Sequence, residues 1–250
     1  MENKKIGIVI LAAGKGTRLG CTDKPKVMLE IGGKPIVSYV VDQLKALGFQ
    51  KEQICLVVGF CKEKVMEYFG NTVSYAVQEE LKGTAHAAYT GMITLPPEVE
   101  HVLVMGGDDS AFYTKETLQN AIQQHIKNGS VLSLVTAQVD EPGQLGRVVR
   151  HSDGKVEIIE KEYTTDEQKL IKEISTGTFM FNRDWFQNMF PTMPMLRKLG
   201  EYGLPTALAV ARDTGAKSEV IQLPDSREWF GVNTPEEFTE ADKRKNSPNQ

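Results

Sequence analysis

The fold class this sequence predicts is α/β, a doubly wound, mainly parallel Rossmann-like sheet, and three observations point there. Short β-branched apolar runs alternate with helical patterns from the first residues. The first run leads straight into a glycine-rich loop. A later buried run, 102–105, ends in Gly106-Gly107-Asp108-Asp109. In sheets of this kind ligands bind beyond the carboxyl ends of the strands, where the strand order switches.

Residues 6–11 are nearly continuous in apolar character, as a central parallel strand buried on both faces requires. Pro35 opens a helix whose apolar positions Ile36, Tyr39, Val40, Leu44 and Leu47 recur at helical spacing, and Gly48 closes it. A strand at 54–58, a short helix ending near Phe69, a strand at 73–77 and a helix after Gly83 follow. Thr114, with Thr117 three residues on, starts a helix to Asn128, and Gly129 caps it. The loops after Leu11, Val77 and Met105 all leave strand ends, so their residues converge on one crevice. From Val131 the pattern changes to short strands at 131–139, 146–150, 155–160 and 177–182, separated by turns such as Asp153-Gly154. These extend the sheet and add a small β subregion over the crevice. A helix at 204–212, a strand at 219–223 and a helix at 235–243 complete a single domain over residues 1–244, and the polar tail 245–250 is expected to fray.

Composition bounds the function. With 40% hydrophobic and 25% charged residues the chain has the make-up of a soluble globular protein. A net charge of −4 argues against a general nucleic-acid binder, which needs a basic face, but allows a local cationic pocket. Three cysteines, Cys21, Cys55 and Cys61, lack metal-type spacing and read as reduced thiols of a cytoplasmic protein. The apolar run after Met1 is too short for a signal peptide, and no stretch approaches the roughly 18 apolar residues of a membrane span.

The loop Leu11-Ala12-Ala13-Gly14-Lys15-Gly16-Thr17-Arg18-Leu19 follows the first strand directly. Small residues let backbone N–H groups close on phosphate oxygens. Arg18 adds a planar cation and Pro25-Lys26 a second one on a stiffened backbone. A Walker A loop is absent, and a dinucleotide fingerprint lacks its third glycine in place and the ribose-binding acid about 20 residues on. A plain glycine-rich turn remains the structural alternative for the loop alone.

Leu-x-Ala-Gly-x-Gly-Thr-Arg with Pro-Lys close behind resembles the signature of the sugar-1-phosphate nucleotidyltransferases. The resemblance is nearest to the uridylyltransferase half of the bacterial bifunctional enzymes that make UDP-N-acetylglucosamine. It runs over about residues 6–240 through Gln78-Glu79-Glu80-Leu81-Lys82-Gly83-Thr84, Gly107-Asp108, Gly146-Arg147-Val148, Ile159-Glu160, Ser175-Thr176-Gly177, Gly200-Glu201-Tyr202 and Gly231-Val232-Asn233. It implies a nucleotide-diphospho-sugar transferase fold and the joining of a nucleoside triphosphate, UTP by expectation, to a sugar 1-phosphate with release of pyrophosphate. Catalysis would then be positioning and charge stabilisation.

The resemblance also implies the residue roles. Arg18 and Lys26 are the catalytic cations. Leu11, Ala12, Ala13, Gly14, Gly16, Thr17, Gln78, Gly83 and Thr84 bind the nucleotide. Gly146, Glu160 and Ser175 face the sugar, and Asp108 and Asn233 hold Mg2+. Bland readings stand beside these: a helix cap for Asp108, a turn before Pro235 for Asn233, a strand-end polar residue for Gln78, and an exposed acid for Glu160. His86 reads as a packing or capping residue.

Departures fall on the sugar side. Ser175 stands where the family has asparagine, and Gly203-Leu204-Pro205-Thr206 replaces a segment with a second tyrosine and a threonine. N-acetylglucosamine 1-phosphate is therefore one candidate among several. Asp109 replaces an apolar residue and reads as a solvent-facing loop acid ahead of two alternatives, an aid to a second metal or a charge that repels the triphosphate. No hexapeptide-repeat β-helix occurs within these residues, so acetyltransferase activity and trimerisation through such a domain are not expected. The alternatives are a cytidylyl- or thymidylyltransferase on the same scaffold, or a non-catalytic sugar-nucleotide-binding regulator.

Overall fold

Strand β1 (Ile6–Ala12) is the hinge of the architecture in the computed structural model, which describes residues 3–152, 154–196 and 200–247. Its side chains alternate between two apolar layers. Ile6, Ile8 and Ile10 face one cluster, while Val9 faces another. A two-residue hairpin, β2 (Glu30–Ile31) and β3 (Lys34–Pro35), follows, and then α1 (Ile36–Ala46). Helix α1 buries Val37, Val40, Val41 and Leu44 in the first layer. Strand β4 (Ile54–Val58) is buried at every position, as its unbroken apolar run requires. Helix α2 (Lys62–Phe69), strand β5 (Ser74–Val77) and helix α3 (Thr84–Met92) come next, and α3 sets Ala85, Ala88 and Met92 into the second layer. Strand β6 (His101–Gly106) precedes α4 (Lys115–Asn128), whose N-cap Thr114 accepts from the Thr117 N–H and whose end is turned by Gly129 at φ 62°.

The remaining strands are β7 (Leu132–Gln138), β8 (Arg147–Arg150), β9 (Val156–Ile159), β10 (Glu173–Asn182) and β11 (Ser218–Gln222). The remaining helices are α5 (Asp166–Lys169), α6 (Arg183–Met189), α7 (Leu204–Asp213) and α8 (Pro235–Asn246). The sheet reads β11-β7-β10-β6-β1-β4-β5, with the antiparallel β8–β9 pair attached to β10. Strands β5, β4, β1 and β6 are parallel, β10 runs against both β6 and β7, and β11 is parallel to β7. After β1 the chain moves outward through β4 and β5, then returns to lay β6 on the other side of β1. That reversal opens the crevice at the carboxyl ends of β1 and β6.

Several features depart from the pattern read in the sequence. Strand β10 begins at Glu173, four residues before the expected 177, and its pairing with β7 breaks between Ser175 and Phe179. Thr176 fastens this bulge by donating to Val135 O at 2.8 Å, with Gly177 at φ 75°. Helices α5 and α6 and the β2–β3 hairpin were not anticipated. The last helix continues to Asn246, past the expected 243, because Lys245 is anchored rather than frayed. Its Nζ donates to Ala111 O at 2.7 Å and lies 4.1 and 4.3 Å from the Tyr39 and Phe112 ring centres. Residues 248–250 of the expected tail, and Asp153 of the expected turn, lie outside the described residues. Among those described, no helix is long and apolar enough to cross a membrane.

Candidate active site at the strand switch

Two adjoining cavities, of about 340 and 610 Å³, occupy the crevice. The smaller is walled by the loop after β1, by Lys26, and by Gln78, Gly83 and Thr84. The larger is walled by Gly146, Glu160 and Ser175 on the β8–β10 side. Leu11, Arg18, Thr84, Asp108 and Asn233 line both.

The loop after β1 is shaped for close approach. Gly16 sits at φ 76°, and a β-carbon there would lie 2.7 Å from Lys26 Cβ, so glycine lets the second cation fold back over the loop. Ala13, Gly14, Gly16 and Thr17 reach the cavity wall. Ala12 does not, because it is the last residue of β1 and its side chain is buried in the core.

At the common wall, Lys26 Nζ is paired with Asp108 Oδ2 and donates to Asn233 Oδ1 at 3.0 Å. Arg18 Nη2 donates to the same Asn233 oxygen at 3.0 Å. A carboxylate oxygen from the end of β6 and an amide oxygen from the start of α8 thus converge on one cationic position. Two hard oxygens so placed fit a Mg2+ ion that fills its remaining positions with water and phosphate. Asn233 is held from behind by Glu237, whose Oε2 accepts from the Asn233 and Thr234 N–H groups in the capping box of α8.

Gln78 is buried at the end of β5, and its side-chain amide nitrogen is committed to His86 Nδ1 at 2.9 Å and Gly83 O at 3.2 Å. His86 can accept because burial, and then the charge of Lys82, push its imidazole below its ordinary value, which favours the neutral ring. Among the described residues no hydrogen bond reaches Gln78 Oε1. The next segment is stitched to the 201–204 segment: the Tyr202 N–H donates to Lys82 O and the Ala85 N–H to Tyr202 O, both at 2.8 Å. The Leu204 N–H donates to Thr84 Oγ1 at 2.9 Å.

The three residues expected to face the sugar come together. A β-carbon on Gly146 would lie 3.4 Å from Glu160 Oε2, and the Ser175 N–H donates to Gly146 O at 3.4 Å. The buried Arg147 fastens the preceding turn, its guanidinium donating to Leu145 O and, at 3.3 Å, to Gly143 O. Next to Asp108, burial first and the Asp108 charge second push the Asp109 carboxyl well above the usual carboxylate range, with Lys26 pulling the other way. Contrary to the expected solvent-facing loop acid, Asp109 Oδ1 is shielded from solvent, because the end of β6 and the β10 bulge close over it, and it has no hydrogen-bond partner among the described residues. Leaving such a group unpaired costs about 1–3 kcal/mol.

Sequence reasoning missed Glu201 in the smaller cavity and Trp229 in the larger one. Trp229 carried a usable signal, a bulky aromatic shortly before Gly231-Val232-Asn233. Its Nε1 donates to Thr176 O at 3.0 Å and so braces the β10 bulge.

A Rossmann-like sheet that sets two hard oxygens and two cations at its switch point, between two cavities, has the form of a site for an anionic ligand. The chain belongs to the nucleotidyl transferase family, whose model matches residues 8–245. It is 38% identical over 226 residues to the bifunctional protein GlmU of Exiguobacterium sibiricum, covering 90% of this chain and 49% of that protein. It is 37% identical over 235 residues to the bifunctional protein GlmU of Bacillus cereus strain G9842, covering 94% and 50%. The chain thus spans about half the length of these curated relatives. In fold it is similar to the crystal structure of a putative glucose-1-phosphate thymidylyltransferase from Bacillus anthracis in complex with a sucrose. The TM-score is 0.80 at 20% identity, covering 98% of this chain and 97% of that one.

Proposed function

We propose that the chain is a Mg2+-dependent sugar-1-phosphate nucleotidyltransferase that joins a nucleoside triphosphate, UTP by expectation, to a sugar 1-phosphate. A phosphate oxygen of the sugar phosphate attacks the α-phosphorus, and the bond from that phosphorus to the β-phosphate oxygen breaks. Pyrophosphate leaves with the electron pair. The observation that carries this reading is the position of Asp108 and Asn233 on the wall common to both cavities, where the α-phosphate of one substrate would meet the phosphate of the other. Mg2+ held by these two oxygens would neutralise phosphate charge there. Lys26 and Arg18, freed from Asn233, would turn to the phosphates and stabilise charge as it develops. The backbone of residues 13–17 would cradle the triphosphate, and Gly146, Glu160 and Ser175 would orient the sugar.

The orientation of Gln78 supports a base whose ring N–H donates to Oε1. Uracil and thymine carry that hydrogen at N3 and guanine at N1, whereas cytosine and adenine carry none, so the amide supports UTP and, as a second reading, the thymidine nucleotide over CTP and ATP. The free thiols Cys21, Cys55 and Cys61 support a reducing, cytoplasmic setting. One sheet running from β5 to β11 supports a single working domain over residues 1–244.

Asp108→Ala is the direct test. Turnover is expected to fall by at least about 10³-fold while triphosphate binding stays within about 5-fold, because the metal serves the transition state more than the ground state. Full activity in that variant contradicts the metal assignment.

A further inference from the structure

The proposed reaction leaves Asp109 without a role, although its carboxyl group is placed with care. The neighbouring acids on the crevice wall are engaged: Asp108 pairs with Lys26, and Glu237 holds the Asn233 and Thr234 amides. Asp109 Oδ1, in contrast, is desolvated and unpaired among the described residues. Two glycines make room for it. A β-carbon on Gly106 would stand 2.7 Å from Oδ1, and one on Gly177 would stand 3.2 Å from Oδ2. Gly177 reaches that place only because the β10 bulge inserts extra residues after Ser175. The carboxyl group therefore lies between the end of β6 and the bulge, and Asp109 lines the larger cavity together with Gly146, Glu160 and Ser175. An unpaired buried acceptor in a cavity is repaid when a ligand brings the missing donor.

We propose that Asp109 is a specificity-determining residue that accepts a hydrogen bond from a ring hydroxyl of the sugar 1-phosphate. The proposal rests on the sugar-nucleotidyltransferase reading of the site and names the feature of the sugar that the site selects. A sugar with a methylene at that ring position leaves the carboxyl group unpaired in the closed complex and is rejected. A site built around a substrate hydroxyl discriminates strongly against analogues that lack it.

The test is steady-state pyrophosphate release with Mg2+ and four triphosphates, against glucose, galactose, mannose, glucosamine and N-acetylglucosamine 1-phosphates. The best pair is carried into Asp109→Ala and Asp109→Asn. In Asp109→Ala, kcat/KM for the sugar phosphate is expected to fall about 10- to 100-fold, while KM for the triphosphate and the Mg2+ requirement stay within about 2-fold. The melting temperature should hold or rise, because an unpaired buried acceptor has been removed. Asp109→Asn keeps a carbonyl oxygen and should stay within about 5-fold of the parent. Among monodeoxy analogues of the sugar, one should be used equally by the parent and by Asp109→Ala.

An unchanged sugar kcat/KM in Asp109→Ala overturns the proposal. So does a loss expressed in the Mg2+ requirement, which would make Asp109 a metal residue. A lowered melting temperature with Asp109→Asn as poor as Asp109→Ala also overturns it, since that marks a purely structural role. Absence of turnover in the unmodified chain with every pair overturns the reading on which the proposal rests. Turnover that is indifferent to Asp109 overturns the proposal alone.

Discussion

Replacing Gly83 by alanine should damage both halves of the crevice at once. Gly83 caps the start of α3 at φ 95° and ψ 177°, a backbone state that costs a side-chain-bearing residue about 1–3 kcal/mol. The added β-carbon would lie 2.6 Å from Tyr202 O, 2.9 Å from Tyr202 N and 3.0 Å from Glu201 Cβ. Two of those atoms are backbone, so relief requires the 201–204 segment to move, at a further cost of about 1–3 kcal/mol. A total of about 2–6 kcal/mol corresponds to a fall in melting temperature of roughly 5–20 °C for a domain of this size. The movement also strains the Ala85–Tyr202 and Tyr202–Lys82 backbone bonds and the Gln78 bond to Gly83 O, so triphosphate binding should weaken with it. Calorimetry and triphosphate titration of Gly83→Ala measure both effects. For melting alone Gly14→Ala is the control, because nothing in the protein lies within 4 Å of its added carbon and its φ is not positive. A Gly83→Ala chain that melts within about 2 °C of the parent and binds triphosphate equally would refute this reasoning.

Two further predictions concern parts of the molecule away from the phosphates. Burial, and then the neighbouring His101, push the His125 imidazole down to about 4. The native state thus refuses a proton that the unfolded chain accepts near 6.5, so stability is full above that pH and declines as the pH falls from about 6.5 towards 4. The loss amounts to about 3 kcal/mol at the acid end. Urea titrations at several pH values should show a shallower acid decline in His125→Gln, and an unchanged decline would assign it to other groups. Arg147→Ala removes both donors to the 143–145 turn, and sugar KM should rise about 10-fold with triphosphate KM unchanged, alongside a stability loss of about 2–4 kcal/mol. Arg147→Lys should rescue little, since one ammonium does not reproduce the planar fork.

The parallel half of the sheet was legible because strands buried on both faces leave unbroken apolar runs. Positions 6–11, 54–58 and 102–105 each announce a strand without reference to the rest of the chain. Strand β10 was cut short because Glu173-Ile174-Ser175-Thr176-Gly177-Thr178 carries polar groups that serve the site. Glu173 pairs with Arg150 and Thr136, and Thr176 with Val135 O, so the residues that shape the bulge hide the strand. The Lys245 anchor was invisible for a related reason: its partners Ala111, Phe112 and Tyr39 lie far away in sequence.

At the candidate site, ordered motifs named residues that the fold brings into one crevice. They could not reveal that Lys26 bridges Asp108 and Asn233, or that Asp109 Oδ1 goes unpaired. Both facts depend on how separate segments meet.

Pyrophosphate release, measured with Mg2+ across four nucleoside triphosphates and a panel of sugar 1-phosphates, tests the central claim most directly. A signal that requires one uridine or thymidine triphosphate, one sugar 1-phosphate and Mg2+ together is the predicted result. Pyrophosphate release that needs no sugar phosphate, or a chain that binds no triphosphate, would contradict it.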